Sequence, residues 1–344
     1  MNNLIKTSFT LVMACLFFVP HAFAKEPETE RGKVLGSVMP EHPSWFKESF
    51  LEIADDAAEA GEANKHAILF MEMNGCPYCS KMIEENFKAE PYKAFIQENF
   101  DVIALNVKGE REVAFNDETT AMEKEIADLL KVKYTPAVIF LNKENKQVAR
   151  VNGYRNAEEF KLVLDYVKEQ AYEKQGLSAY LDSKKRTDSY TFRSHPDLED
   201  MTDLSSITKK PLAVLFEDKS CVACDALHDG YLKDPEVRKS LEKMAFVRLD
   251  GLSDSKIIDP EGVETTSKAF AEKLGVTYRP SIVLFDQGKE IVRIESKLYR
   301  FHFSGVLEYV ADGHYKEYPN SPFDYINAKT EEVLQSGKDV NIAE

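Results

Sequence analysis

Two Cys-x-x-Cys pairs, Cys76/Cys79 and Cys221/Cys224, stand 145 positions apart, and the residues around them correspond so closely that the chain reads as one unit written twice. Each pair follows an apolar run that ends in an acid, Ala67-Ile68-Leu69-Phe70-Met71-Glu72 in the first copy and Leu212-Ala213-Val214-Leu215-Phe216-Glu217 in the second. Downstream, Val132-Lys133-Tyr134-Thr135-Pro136 matches Val276-Thr277-Tyr278-Arg279-Pro280, Tyr154-Arg155 matches Tyr299-Arg300, and Leu164-Asp165-Tyr166-Val167 matches Leu307-Glu308-Tyr309-Val310. Even the lead-ins share His42-Pro43 and His195-Pro196. A repeat of this length constrains the fold strongly, because each copy must bury a core of its own. A chain of 344 residues is long enough for two such cores.

Both copies show the same order of elements, βαβαββα. In the first, a strand from Ala67 to Glu72 meets the cysteines, and a helix follows with Met82, Ile83 and Phe87 at helical spacing. A β-rich run (Val102 to Val107), a helix (Met122 to Leu130), a strand pair (Ala137 to Leu141, Gln147 to Val151) and a closing helix (Ala157 to Lys168) complete the unit. The second copy places strands near Leu212 to Glu217, Phe246 to Leu249, Ile282 to Phe285 and Ile291 to Ile294, with Gly288 in the hairpin turn. Alternating helices and strands imply a layered α/β sheet, with antiparallel strands added at one side by the closing hairpin. An extra amphipathic helix is expected before the first copy, with Phe46, Phe50, Ile53 and Ala57 on its buried face and Trp45 at its start. The divisions expected are a signal at 1–24, a first domain at 38–182, a polar linker at 183–194, a second domain at 195–330 and a polar, frayed tail at 331–344.

The N-terminus reads as a secretory signal. Lys6 precedes the apolar run from Phe9 to Val19, and Ala22-Phe23-Ala24 supplies small residues at the −3 and −1 positions, so the mature chain would begin at Lys25 in a periplasmic or secreted setting. Cys15, after Val12-Met13-Ala14, loosely matches a lipidation site, but Met13 and the apolar Leu16-Phe17-Phe18 argue against it. No apolar stretch reaches the roughly 20 residues a membrane span needs. A formal charge of −15 argues against a nucleic-acid or anionic-membrane partner, both of which call for basic patches. The four cysteines that remain after cleavage fall into the two pairs, and an oxidising compartment permits both to close.

Disulfide exchange needs a thiolate to attack and a second thiol to resolve the mixed disulfide. A Cys-x-x-Cys at a helix start meets both needs: the first sulfur faces unpaired N–H groups, and the second lies one turn in. Cys76 and Cys221 are therefore the expected nucleophiles, and Cys79 and Cys224 the resolving thiols. Pro77 suits the first turn of a helix. The second site, Cys221-Val222-Ala223-Cys224, has no such proline.

Strand, Cys-x-x-Cys, helix and then a Thr-Pro or Arg-Pro before a buried strand about 57 residues later resembles the thioredoxin superfamily, tandemly duplicated. The first copy is similar to periplasmic, SoxW-type thioredoxins through Phe70-Met71-Glu72 and Gly75-Cys76-Pro77-Tyr78-Cys79. The resemblance implies two thioredoxin-like folds, each a central mixed four-stranded sheet flanked by helices. It also implies cis bonds at Pro136 and Pro280, and substrate contacts at Thr135–Pro136 and Arg279–Pro280; Tyr78 is read as packing or substrate-facing. Neither site has the Trp-Cys-Gly-Pro-Cys of ordinary thioredoxins, and Phe70 and Leu215 stand where those proteins bury an acid. Glu72 and Glu217, four residues before the first cysteine of each pair, are the candidates for the missing proton-transfer role; otherwise they are solvated acids at strand ends.

The reading is an exported oxidoreductase of protein thiols and disulfides, supplied by an unidentified redox partner and using no cofactor. A second reading is a thioredoxin-fold binding or chaperone module whose second Cys-x-x-Cys is inert or structural, since Asp225 beside Cys224 disfavours a thiolate. Zinc binding would need the two pairs to converge across the 141 residues between them, and no metal site is assigned. His228 is read as a surface histidine.

Overall fold

The computed structural model describes residues 30–184 and 189–344. The expected signal sequence, its cleavage point at Ala24 and Cys15 lie outside the described residues. None of the described helices is long and apolar enough to cross a membrane.

In the first copy, the strand His66–Glu72 is flanked by Phe100–Asn106 in parallel and by Ala137–Leu141 antiparallel, and Gln147–Asn152 closes the edge. Alternation along the central strand explains its burial on both faces. Ile68 and Phe70 join one apolar cluster, while Ala67, Leu69 and Met71 join another under Ile53, Ala57 and Ile126. In the second copy, Leu212–Glu217 takes the central place between Ala245–Asp250 (parallel) and Ser281–Asp286 (antiparallel), with Lys289–Ile294 outside the latter. A two-residue strand, Leu198–Glu199, adds a fifth member beside Ala245–Asp250, where four were expected.

The faces of the two sheets that lie under the cysteine helices belong to one apolar cluster, which runs without a break from Phe46, Phe70 and Phe87 of the first copy to Leu215, Phe303 and Ile326 of the second. Across the seam, Tyr134 donates its hydroxyl to the Arg293 carbonyl (2.9 Å) and its ring meets Phe323 edge-on. Asn152 donates to Glu295 (2.8 Å), Ser178 donates to the Val276 carbonyl (2.8 Å), and the Arg155 guanidinium lies over the Tyr278 ring. Gly153, with φ +77°, sits where a Cβ would be 2.2 Å from the Ser296 hydroxyl oxygen.

Three expectations fail. The helix before the first copy is Ile53–Glu62, and it excludes Phe46 and Phe50. Ser49 accepts from the Leu51 N–H and Leu51 takes φ +65°, which turns the chain just before the helix and leaves Phe50 97% exposed, while Phe46 is buried against Phe70 and Phe87. The segment at 331–344 is folded. A helix Pro322–Gln335, with Pro322 in its first turn and Ser321 as its cap, crosses the expected boundary, and Val340–Asn341 then pairs in parallel with Val34–Leu35. Leu334 and Val340 are the buried residues that secure it. The later part of the expected linker is docked as well: Ser189 and Tyr190 donate their N–H groups to the Lys219 carbonyl, and Tyr190 is buried.

Candidate active site

Cys76 caps the helix Pro77–Met82, with Pro77 at its start, and the Cys79 N–H points at the Cys76 sulfur (3.1 Å). Gly75, at φ +80°, makes the turn that delivers the cysteine, and Ser37 lies where its side chain would be. Cys76 and Cys79 are joined as a disulfide. Opposite them, the Thr135–Pro136 peptide is cis, the Thr135 hydroxyl donates to the Cys76 sulfur (3.4 Å), and the Thr135 carbonyl lies 3.7 Å from the same atom. The structure thus brings Cys79 and Thr135, the residue before the cis Pro136, together around the Cys76 sulfur, with donors aimed where a thiolate's charge would develop.

Tyr78, read as packing or substrate-facing, packs across the seam and also lines a cleft beside Cys76. It is buried and crosses to the second copy, because a ring this large between two cysteines finds its apolar cover there. Its ring stacks on Tyr299 (5.0 Å between centroids), its oxygen accepts the Tyr299 N–H (2.8 Å), and its hydroxyl donates to His302 Nδ1 (2.8 Å). Burial raises the pKa of Tyr78 and lowers that of His302 to about 4, so both are neutral at ordinary pH. Ala223 stands at the position equivalent to Tyr78, so the second site has no such anchor.

Glu72 and Glu217 are buried, contrary to the picture of solvated acids, and each pairs with a histidine. Glu72 meets His42 Nε2 at 2.6 Å; Glu217, fully buried, meets His228 Nε2 at 2.8 Å and accepts from the Tyr190 hydroxyl at 3.1 Å. Neither hydrogen-bonds to a cysteine sulfur among the described residues. His228 is therefore a buried partner of Glu217 and not the surface histidine expected. His42 was visible in the sequence only as a shared lead-in.

The second pair, also a disulfide, is arranged differently. Cys221 caps the helix Val222–Asp229 without accepting an N–H at its sulfur, and both cysteines are packed against Tyr190 and Phe192. The Arg279–Pro280 peptide is cis, but Arg279, expected to contact substrate, is buried. Its guanidinium pairs with Asp218 (3.3 Å) and approaches Asp182 (4.0 Å), passing over Gly251, where any side chain would collide with it. Two carboxylates in a low-dielectric setting hold this arginine inside, where a threonine in the first copy leaves open space. Asp225, the acid expected to oppose a thiolate, is exposed and pairs with Arg193 (3.2 Å).

The first site opens into a large hollow. Cys76, Pro77 and Thr135 line a cleft of about 710 Å³ whose opposite wall is Phe301, His302 and the helix Pro322–Gln335 of the second copy. No sequence signal marked that helix as part of the site, because its contribution comes from contact across the seam and not from a motif.

A family model described as a thioredoxin-like domain matches residues 53–168 and again 198–311, more than half of the chain. No protein of curated function matches. Solved structures similar to this chain include a thioredoxin-fold protein from Helicobacter pylori (22% identity, TM-score 0.32, covering 35% of this chain and 80% of that one). The oxidoreductase DsbH is another (17% identity, TM-score 0.27, 39% and 88% covered). The first two thioredoxin domains of Saccharomyces cerevisiae Eps1p are a third (12% identity, TM-score 0.25, 73% and 88% covered).

Proposed function

Starting from the fact that both halves of this chain belong to the thioredoxin-like family, we propose that it is an exported thiol–disulfide oxidoreductase acting on protein cysteines, with Cys76 forming the transient mixed disulfide and Cys79 resolving it. One observation carries the reading: the Cys76 sulfur sits at a helix start, receives the Cys79 N–H and the Thr135 hydroxyl, and borders an open cleft. Donors so placed favour the thiolate over the thiol, which is the condition for attack on a disulfide. In the reducing direction, Cys76 as thiolate attacks a substrate sulfur, breaking the substrate disulfide and expelling one substrate thiolate; Cys79 then attacks Cys76, releasing the second thiolate and closing the bond seen here. Two electrons pass from protein to substrate, and the partner that returns them is unidentified. Glu72, four residues before Cys76 and paired with His42, is the candidate for moving protons through water in this exchange.

Export rests on the N-terminal apolar run and Ala22-Phe23-Ala24, and the narrower likeness to SoxW-type thioredoxins rests on the residues around Cys76. For the second copy, one observation favours a structural disulfide in a domain that mainly binds and positions. Tyr190 and Phe192 cover Cys221 and Cys224, and Arg279 fills the space that Thr135 leaves open in the first copy. The test is to trap complexes with Cys79→Ala and with Cys224→Ala and to measure insulin reduction. Mixed disulfides on the first variant are expected; none on either, with no insulin reduction by the intact protein, overturns the proposal.

A further inference from the structure

The cleft beside Cys76 does not end at the cysteine helix. An adjoining hollow of about 360 Å³ shares Lys131, Lys133, Tyr134 and Asn320 with it and continues along the seam between the copies to Arg150 and Arg293. Both hollows have the volume of concave sites that enclose a narrow ligand, whereas a folded partner docks on roughly 800 Å² of flatter surface per side. The groove is therefore shaped for a single strand of chain. Its width is fixed by the second copy, because the Pro322–Gln335 helix forms one wall and is itself held by the pairing of Val340–Asn341 with Val34–Leu35.

The charge of the groove runs against that of the chain. Acids outnumber bases overall, 59 to 44, yet the wall contributed by the first copy carries Lys108, Lys131 and Lys133, all exposed and none in an ion pair among the described residues. The acids of the larger cleft are Asp128 and Asp324, and in the smaller one Glu290 and Glu295 pair with Arg293. Asp128 and Asp324 are likewise exposed and in no ion pair among the described residues, so the two hollows together carry five cations (Lys108, Lys131, Lys133, Arg150 and Arg293) against four acids, a net of +1 in a chain whose net charge is −15.

We infer that this seam groove receives an extended, cysteine-bearing segment with acidic residues next to its cysteine and presents it to Cys76, so that the second domain acts as a substrate-selecting wall. The inference rests on the oxidoreductase reading of Cys76. Charge complementarity of this kind acts mainly on the rate of encounter and weakens as salt screens it.

The test uses Cys79→Ala, which leaves Cys76 without its resolving partner, and two peptides that differ only in having Glu or Lys around one cysteine, each activated as its mixed disulfide with thiopyridine. Cys76 thiolate attacks the peptide sulfur, the peptide–pyridyl S–S bond breaks, a peptide–Cys76 S–S bond forms, and pyridine-2-thione leaves and is followed by absorbance. The acidic peptide is expected to react about fivefold faster at low ionic strength, with the ratio approaching one in about 0.5 M salt and inverting in the double variant Lys131→Glu, Lys133→Glu. Asn327→Trp, on the helix wall, should slow both peptides at least threefold relative to dithiodipyridine, which needs little of the groove. A ratio near one at low salt, or one that the lysine reversal leaves unchanged, overturns the inference while dithiodipyridine still reacts. Failure of dithiodipyridine itself to react with Cys76 instead sinks the oxidoreductase reading.

Discussion

Tyr78→Phe removes one oxygen from the turn between the two reactive cysteines and keeps the ring that stacks on Tyr299. In the wild type that oxygen accepts the Tyr299 N–H and donates to His302 Nδ1, both at 2.8 Å. His302 is buried, so its nitrogen is left without a partner, at a cost of about 1–3 kcal/mol; Tyr299 is half-buried, so water replaces part of what its N–H loses. The expected destabilisation is about 2 kcal/mol, a factor of roughly 30 in the ratio of folded to unfolded protein. It is to be measured by urea unfolding of the oxidised protein, with the slope against denaturant checked for constancy. A cycle with His302→Leu isolates the pair, and a coupling of about 1 kcal/mol is expected between two residues in direct contact. A loss below about 0.5 kcal/mol, or additive behaviour in the double variant, would refute the claim that this hydroxyl ties the first redox turn to the second domain.

Acid should loosen the same contact. The unfolded chain protonates His302 near 6.5 and the folded chain only near 4, so the stability gained by keeping it neutral is complete above pH 6.5 and falls as pH drops from 6.5 to 4, by about 3 kcal/mol. Urea titrations at a series of pH values should show that much less acid dependence in His302→Leu than in the wild type. Gly153→Ala places a Cβ on the Ser296 side chain at a left-handed backbone position and should lower stability by about 3 kcal/mol, seen by calorimetry as a fall of several degrees in Tm. In insulin reduction, Cys76→Ser should abolish turnover, while the pair Cys221→Ser, Cys224→Ser should retain most of it; equal losses would make the second pair an obligatory redox partner.

The repeat made the sheet readable because each copy's central strand announces itself twice, and the closing helix of the first copy has the expected bounds, Ala157–Lys168, with Asn156 as its cap. Cys76 and Pro136 were readable for a similar reason: their chemistry needs those residue types at those places. Phe50 was misread because its spacing fits a helical face, and only the local turn at Ser49 and Leu51 takes it out of register. The burial of Tyr78 and Arg279 was not legible, for a deeper reason. What turns Tyr78 inward is a surface more than 200 residues away in sequence, at Tyr299 and His302, and what holds Arg279 inside is Asp218 and Asp182. No local pattern encodes those contacts. The same holds for the helix Pro322–Gln335, whose polar outer face disguised its buried Tyr325, Ile326 and Leu334.

The pairing of Val34–Leu35 with Val340–Asn341 makes the protein a ring in its connectivity: the copies are joined once by the continuous chain and again, at their far ends, by this short parallel ladder, with the Arg31–Glu331 ion pair beside it. A protease that cut the covalent join would thus leave two fragments still clasped at the other end and still sharing one apolar core. The halves would behave as a non-covalent heterodimer capable of complementation, and the groove at Cys76 would keep both of its walls.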